Sequence, residues 1–171
     1  MKKKLKRYLI IGGAGFIGFH LSKRISENTN NHILIIDNFS RGSLDSDFKK
    51  LIKKKNFKIL KKDILKISLN KIPKNFDYVI NLAAIVGVRN VLKNPYKVLI
   101  LNFEINKLAI QIAKNQNKIK KFIFMSTSEI YAGSLENNLL KFPSKESNVI
   151  SLQKFDNPRS VYMMSKIYGE I

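Results

Sequence analysis

The chain has 171 residues, of which 44% are hydrophobic, so it is long enough and apolar enough to bury the core of one domain. It contains no cysteine, which excludes a disulfide-stabilised fold and cysteine-ligated zinc or iron–sulfur sites. Its formal net charge is +20, and no apolar run approaches the ~20 residues that span a bilayer.

The positive charge admits two interpretations. Of the 32 basic residues 27 are lysine, and lysine, isoleucine and asparagine, all written with A/T-rich codons, are abundant together, which indicates compositional drift. The alternative is a polyanion such as nucleic acid, bound by the eight lysines between positions 49 and 62. Nucleic-acid surfaces favour arginine and interleaved aromatic residues, and only Phe48 and Phe57 flank this run. We therefore favour drift and expect no nucleic-acid partner.

The N-terminus carries basic residues followed by an apolar stretch from Tyr8 to Leu21, an order that secretory signals share. The stretch contains four glycines in a regular pattern, and no small-residue cleavage site follows it. A strand and a turn explain this pattern better, so we expect a cytoplasmic protein that is not bound to a membrane.

Apolar runs and helical periodicities alternate along the chain, which predicts an α/β fold with parallel strands joined by helices. Residues 136–157 are polar and irregular. The last predicted helix still continues at Ile171, so we expect a fragment or a truncated product. In chain order, the pattern predicts a strand over 8–11, a helix over 15–28, a strand over 33–36, a helix over 44–55, strands over 57–60 and 78–80, a helix from Pro95, a strand over 122–125 and a helix from Ser160.

A glycine-rich turn joins the first predicted strand to the first predicted helix. Gly12, Gly15 and Gly18 form the pattern G-x-x-G-x-x-G. The helix start presents backbone N–H groups and a positive dipole end, and a diphosphate can approach them where no Cβ intervenes. Asp37 ends the second strand, where a dinucleotide-binding fold places a carboxylate on the adenosine ribose. Because this carboxylate would repel a 2′-phosphate, we expect NAD rather than NADP.

Asp63 and Ile64 follow the third predicted strand. The Asp63 carboxylate can accept a hydrogen bond from the adenine amino group while Ile64 packs on the ring. The alternative is a helix cap beside an apolar residue.

Hydroxyl and carboxylate side chains follow the fifth strand, whose carboxyl end faces the ligand crevice of an open parallel sheet. Tyr162 and Lys166 are four residues apart, so they share one helix face. We expect the Lys166 ammonium to lower the pKa of the Tyr162 phenol, making it a general base toward a sugar hydroxyl, and to reach the nicotinamide ribose. The Thr127 hydroxyl would align the same substrate oxygen. The alternative is an exposed tyrosine beside a solvated lysine.

At these residues the chain resembles the extended short-chain dehydrogenase/reductase family, which comprises NAD-dependent nucleotide-sugar epimerases, dehydratases and decarboxylases. The motifs that carry the resemblance are the turn from Ile10 to Gly18, the loop Asp37-Asn38-Phe39-Ser40-Arg41-Gly42, the segment Asn81-Leu82-Ala83-Ala84, Asn94-Pro95 followed by Asn102, and the pair Tyr162 and Lys166.

The resemblance implies a Rossmann-like doubly wound sheet in the order 3-2-1-4-5, formed by one NAD(P)-binding domain over residues 1–171 that lacks the C-terminal substrate domain. It implies that Tyr162 takes a proton from the sugar while NAD takes a hydride, typically at C4. Ser128 and Glu129 are similar to residues that assist decarboxylation, and Ser128 replaces the aspartate of the dehydratases; Glu129 could alternatively hold the loop. Implied cofactor contacts are Gly12, Gly15, Phe16, Ile17, Gly18, Asp37, Asn38, Asp63, Ile64, Leu82, Ala83, Ala84, Asn102 and Lys166.

The resemblance leaves epimerase, dehydratase and decarboxylase activity open. We expect a nucleotide-sugar substrate, with a UDP-sugar as the first choice, and no metal. Members of the family usually form homodimers through the helices that begin near Pro95 and Ser160, so a homodimer is a further expectation. The first alternative is a truncated module that holds NAD without turning anything over, and the second is a basic nucleic-acid-binding protein.

Overall fold

Five strands form one parallel sheet in the computed structural model, which describes residues 5–154 and 156–171. The sheet order is β3-β2-β1-β4-β5, which confirms the order implied by the sequence. Each strand lies within about two residues of its predicted position, because a short apolar run marks its centre better than its ends. The strands are β1 (Lys6–Ile11), β2 (Asn31–Asp37), β3 (Phe57–Lys61), β4 (Tyr78–Asn81) and β5 (Lys121–Phe124).

The predicted helices are present, and two short ones were not predicted. The helices α3 and α5 have six and five residues, too few for a 3.6-residue period to show in the sequence. The helix bounds are α1 (Phe16–Ser26), α2 (Ser46–Ile52), α3 (Val88–Lys93), α4 (Pro95–Lys114), α5 (Ala132–Glu136) and α6 (Ser160–Glu170).

Contacts divide the chain into two compact units. The first, which we call the sheet unit, comprises Met1–Ala84 and Ile105–Met125. The second, which we call the helical unit, comprises Ile85–Glu104 and Ser126–Ile171. The helix α4 therefore contributes residues 95–104 to the helical unit and residues 105–114 to the sheet unit.

The sheet unit buries both faces of its sheet. Leu9 and Ile11 belong to the core cluster that contains Ile105 and Ile112 of α4, whereas Ile10 belongs to the cluster on the other face. Successive side chains of a strand point to opposite faces, and both faces are covered here. This is why the strands have uninterrupted apolar sequences rather than alternating ones.

The second core cluster of the sheet unit contains α2, whose buried face is narrower than the sequence indicated. Phe48 and Leu51 are buried, but Leu44 and Ile52 are 38% and 37% exposed. For Leu44 the cause lies in the start of the helix: the Asp45 carboxylate accepts a hydrogen bond from the Phe48 N–H at 2.8 Å, so α2 begins after Leu44.

The lysine-rich run forms an exposed surface of the sheet unit. Its eight lysines are exposed, while Phe48 and Phe57 are only 1% and 4% exposed and pack against each other, with ring centroids 6.4 Å apart. These aromatic rings are core residues and have no face to offer a nucleic-acid base. Neither of the two aromatic residues that flank the lysine-rich run is therefore available to stack on a nucleic-acid base.

The helical unit has a small core of its own. Val91 of α3, Val98 of α4 and Met163 of α6 are each at most 4% exposed. The rings of Phe103 and Tyr168 stack with their centroids 4.5 Å apart. Across the described residues of both units, none of the helices has the length and apolar character needed to cross a membrane.

Candidate functional site

The glycine-rich turn is shaped by close packing within the sheet unit. Gly12 has a φ of +78°, and a Cβ at this position would lie 2.6 Å from the Ala83 backbone nitrogen. A Cβ on Gly18 would lie 2.5 Å from the Cα of Gly13. Packing alone therefore requires glycine at these two positions, and it places the turn against the segment that follows β4.

Gly15 differs, because the fold itself does not require a glycine there. A Cβ at Gly15 would meet only the Gly12 carbonyl oxygen, at an ordinary 3.7 Å. Gly15 precedes α1 and supplies no side-chain cap, so the N–H groups of the first helical turn face an open space. Phe16 and Ile17 in that turn are 81% and 51% exposed. This open, electropositive space fits a diphosphate.

The structure brings the predicted ribose-binding carboxylate to this turn. One oxygen of Asp37 accepts a hydrogen bond from the Ala14 N–H at 2.9 Å, and the other accepts from the Phe39 N–H at 2.7 Å. Each carboxylate oxygen retains a lone pair that a ribose hydroxyl could use. The exposed Asn38 side chain accepts from the Ser40 N–H at 3.0 Å, which holds the loop after β2.

The contacts of Asp63 and Ile64 match the alternative stated in the sequence analysis, a helix cap beside an apolar residue. The Asp63 carboxylate accepts a hydrogen bond from the Leu65 N–H at 3.0 Å and caps a 3-10 helix over Ile64–Lys66. Ile64 is 5% exposed and belongs to a core cluster of the sheet unit, which lends no support to the packing of its side chain on an adenine ring, and that contact stays a prediction. An adenine amino group could still donate a hydrogen bond to the second oxygen of the Asp63 carboxylate.

The segment after β4 is held at its start by buried amides. The Ala83 N–H donates to the Asn81 side-chain oxygen at 3.2 Å, and the Asn81 amide donates to Asn106 of α4 at 3.1 Å. Leu82, Ala83 and Ala84 are half-buried. Because Gly12 abuts Ala83, these residues form one wall beside the glycine-rich turn.

Four polar residues of the helical unit line one cavity of about 140 Å³. The Tyr162 phenol and the Thr127 hydroxyl line this cavity together, and the Glu129 carboxylate lies 3.4 Å from the Arg159 guanidinium. Apolar residues of and before α3 complete the lining; these are Val86, Gly87, Val88 and Val91. The structure therefore brings together three of the five residues expected to be catalytic: Thr127, Glu129 and Tyr162.

Ser128 and Lys166 take different places. Ser128 is exposed and does not line the cavity, so the structure does not group it with the other candidates. Lys166 is 4% exposed, and its Nζ lies over the Tyr162 ring at 5.7 Å from the ring centroid. Burial lowers the pKa of Lys166 to about 8, because the charged ammonium loses hydration.

The expectation that Lys166 lowers the pKa of Tyr162 toward neutrality is wrong for the chain by itself. Burial raises the pKa of the Tyr162 phenol above its ordinary value, and the Glu129 carboxylate raises it further. The Thr127 hydroxyl lowers the pKa of the phenol and only partly offsets these effects. The i, i+4 spacing put the two side chains on one helix face, but it did not fix what surrounds the phenolic oxygen.

Burial of Lys166 predicts a pH-dependent stability. Between pH 8 and 10.5 the unfolded chain binds more protons at this lysine than the folded chain does, so the free energy of unfolding should rise with pH in that window. Complete deprotonation would recover about 3 kcal/mol. Urea unfolding from about pH 7 to pH 9, below the ordinary tyrosine pKa of about 10, should show the first part of this rise. We expect Lys166→Met to flatten it and Lys141→Gln, at an exposed lysine, to retain it. An unchanged slope in Lys166→Met would contradict the assignment.

Asn102, an implied cofactor contact, has a structural role instead. Its side chain accepts from the Ile85 N–H at 2.7 Å, donates to the Ile85 carbonyl at 3.1 Å and lies 3.4 Å from the Ser165 hydroxyl. It is 1% exposed, which favours positioning over direct contact with a ligand. Ser165 in turn donates to the Tyr162 carbonyl at 2.7 Å, so Asn102 supports the helix that carries the tyrosine.

Arg159 was not among the residues predicted for the site. It lies three residues before Tyr162, directly before the predicted helix, and this spacing could have signalled that the two residues share a site. The pairing of Arg159 with Glu129 could not be found this way, because the two residues are 30 positions apart in the sequence.

Known proteins resemble both units of the chain. A dTDP-D-glucose 4,6-dehydratase from Dictyostelium discoideum is 33% identical over 97% of this chain and 39% of its own length. A UDP-N-acetyl-alpha-D-glucosaminuronate decarboxylase from Bacillus cytotoxicus is 36% identical over 74% of this chain and 38% of its own length. The chain therefore spans less than half the length of these relatives.

Solved structures of nucleotide-sugar epimerases also resemble the chain over nearly its whole length. The UDP-N-acetylglucosamine 4-epimerase from Methanobrevibacter ruminantium M1 superposes with a TM-score of 0.79 at 33% identity, covering 98% of this chain and 49% of that one. The UDP-glucuronic acid 4-epimerase from Bacillus cereus, solved with NAD, gives a TM-score of 0.72 at 26% identity, covering 96% and 50%. A family model, described as the NAD dependent epimerase/dehydratase family, matches residues 8–171. The glycine-rich turn with its carboxylate and the tyrosine cavity are thus parts of a chain that belongs to the NAD dependent epimerase/dehydratase family.

Proposed function

We propose that this chain forms the NAD-binding part of a nucleotide-sugar epimerase-type enzyme, with Tyr162 as the base that takes a proton from a sugar hydroxyl. The observation that carries the proposal is that Tyr162, Thr127 and Glu129 line one cavity, in which the Thr127 hydroxyl lowers the pKa of the Tyr162 phenol. The relatives are about twice as long as the chain, so the activity belongs to a protein that carries this chain together with the rest of that length.

The sheet unit supplies the groups that would hold NAD. The N–H groups of the first turn of α1, reached across Gly15, would bind the diphosphate, and Asp37 would accept from the adenosine ribose hydroxyls. The wall formed by Leu82, Ala83 and Ala84 stays a predicted contact. When bound, NAD supplies the acceptor for the hydride that leaves the sugar carbon.

The helical unit supplies the proton acceptor. Once ionised, Tyr162 accepts the proton of the sugar hydroxyl, and the Thr127 hydroxyl donates a hydrogen bond that stabilises the phenolate. Positive charges brought near the phenolic oxygen by the ligand would further favour the ionised form. Burial of Tyr162 keeps the phenol protonated until those charges are in place.

The identity of the sugar and the type of product are a further part of this proposal. We take a UDP-sugar as the substrate, supported by the UDP-sugars named for the relatives and solved structures. Ser128 is exposed, which gives no support to its role in decarboxylation. Epimerisation needs no group beyond the base and the hydride acceptor, so we favour it over decarboxylation and dehydration.

Asp37 offers a test of the cofactor site that does not require turnover. We expect Asp37→Ala to weaken NAD binding by roughly tenfold or more and NADP binding much less, because the carboxylate serves ribose hydroxyls and repels a 2′-phosphate. Calorimetric titration of the purified chain with each cofactor measures both affinities. Asp37→Asn is the matched control, because it retains an oxygen that can accept from Ala14. Equal losses for NAD and NADP would exclude the ribose role.

Exposed apolar side chains on α4 and α6 support the expected homodimer. Tyr96, Ile100 and Met164 are 73%, 38% and 37% exposed within the helical unit. We expect light scattering after size exclusion to give twice the chain mass, and Tyr96→Asp to shift the protein toward the monomer. A monomer for the unsubstituted protein at micromolar concentration would contradict the expectation.

A further inference from the structure

Three contacts connect the residues that line the cavity with Tyr162 in the helical unit. The Thr127 hydroxyl, which lines the same cavity as the Tyr162 phenol, accepts a hydrogen bond from the Glu129 N–H at 3.3 Å. The Glu129 carboxylate lies 3.4 Å from the Arg159 guanidinium. The Arg159 carbonyl accepts from the Tyr162 N–H at 3.1 Å, so Arg159 is linked both to Glu129 and to the tyrosine.

We propose that Arg159 is a positioning residue for Tyr162, whose guanidinium holds the Glu129 carboxylate at the wall of the cavity and balances its charge beside the phenol. The importance of Arg159 for the reaction rests on the proposed function of Tyr162 as the base. The effect of Arg159 on Glu129 and on the phenol does not require NAD or a sugar.

The charges around the Tyr162 phenol explain why the Arg159–Glu129 pair should affect its ionisation. Glu129 opposes ionisation of the phenol, and the Arg159 guanidinium, always protonated at physiological pH, is the cation paired with it. Lys166 lies over the ring, while α3 presents only apolar residues, Val88 and Val91, to the cavity. Since the arginine and glutamate side chains are 49% and 37% exposed, water screens the pair and its effect should be moderate.

The backbone of Arg159 has a separate role that substitution leaves in place. Its carbonyl also accepts from the Met163 N–H at 3.4 Å, and its N–H donates to the Asn157 side chain at 3.0 Å. These bonds start α6 with any residue at position 159. A change of the side chain therefore tests the guanidinium alone.

The test is an NMR titration of tyrosines labelled with carbon-13 in the ring, on the purified chain without cofactor or sugar. The Tyr162 signal is assigned by its loss in Tyr162→Phe. We expect Arg159→Gln to raise the pKa of Tyr162 by roughly half a unit to one unit, and Glu129→Gln to lower it. Arg159→Lys should restore most of the original value. Lys141→Gln, which removes one exposed charge elsewhere in the helical unit, should change nothing.

The double variant decides whether Arg159 acts through Glu129. In the Glu129→Gln background, Arg159→Gln should leave the pKa of Tyr162 unchanged. The comparison uses pH values at which circular dichroism shows the native fold, and the ionised fraction at the highest such pH replaces a full curve where necessary. A titration of Arg159→Gln identical to that of the unsubstituted chain would overturn the proposal, as would an equal shift in both backgrounds. Absence of turnover in an activity assay would count against the proposed function and leave this result intact.

Discussion

Tyr162→Phe should reduce turnover of a nucleotide sugar by roughly 100-fold or more while leaving NAD affinity within about twofold. The substitution removes one oxygen, the atom that would accept the sugar proton in the cavity shared with Thr127. The ring that covers Lys166 is retained, so burial of the lysine should persist. Product formation from UDP-sugars with NAD, in a protein that carries this chain at the length of its relatives, is followed by mass spectrometry.

The matched control for this experiment is on the same helix. Tyr168→Phe also removes a phenolic oxygen from α6, at a ring that stacks on Phe103 and is 43% exposed. It should leave turnover unchanged. Equal activity of Tyr162→Phe and the unsubstituted protein would remove Tyr162 as the base.

Gly12→Ala and Gly15→Ala should separate folding from cofactor binding within one turn. At Gly12 the backbone has a φ of +78° and a Cβ would lie 2.6 Å from backbone, so we expect a loss of roughly 2–4 kcal/mol in stability. At Gly15 a Cβ meets nothing closer than 3.7 Å, so stability should change by less than about 1 kcal/mol. The added methyl group would occupy the space proposed for the diphosphate, and NAD affinity should fall roughly tenfold.

Urea unfolding and calorimetric titration with NAD distinguish the two variants. Each glycine is the control for the other, because both carry the same added atom in the same turn. If Gly15→Ala bound NAD as tightly as the unsubstituted chain does, the diphosphate would have to lie elsewhere.

The parallel sheet could be predicted because its signals are local. Buried strands have uninterrupted apolar runs, such as Leu9 to Ile11, and the helices between them have a 3.6-residue period. The position of Asp37 was equally accessible, since the end of β2 falls beside the turn after β1 in any sheet of this order.

The chemistry of the tyrosine could not be predicted, because it depends on contacts that no local pattern encodes. The pKa of Tyr162 is set by burial and by Glu129, 33 positions away in the sequence. Likewise Asp63 and Ile64 fit an adenine site by position, and only their contacts show that one caps a short helix and the other fills the core. Spacing identifies which residues share a face, and packing determines their electrostatics.

The bonds from Ala14 and Phe39 to the Asp37 carboxylate have a consequence for the energetics of association. Both carboxylate oxygens are held in fixed directions by these bonds, so a ribose bound as proposed would meet an acceptor whose rotamer is already selected. Little conformational entropy would remain to be lost at this side chain, and the contact would discriminate between hydroxyl and phosphate from the first encounter.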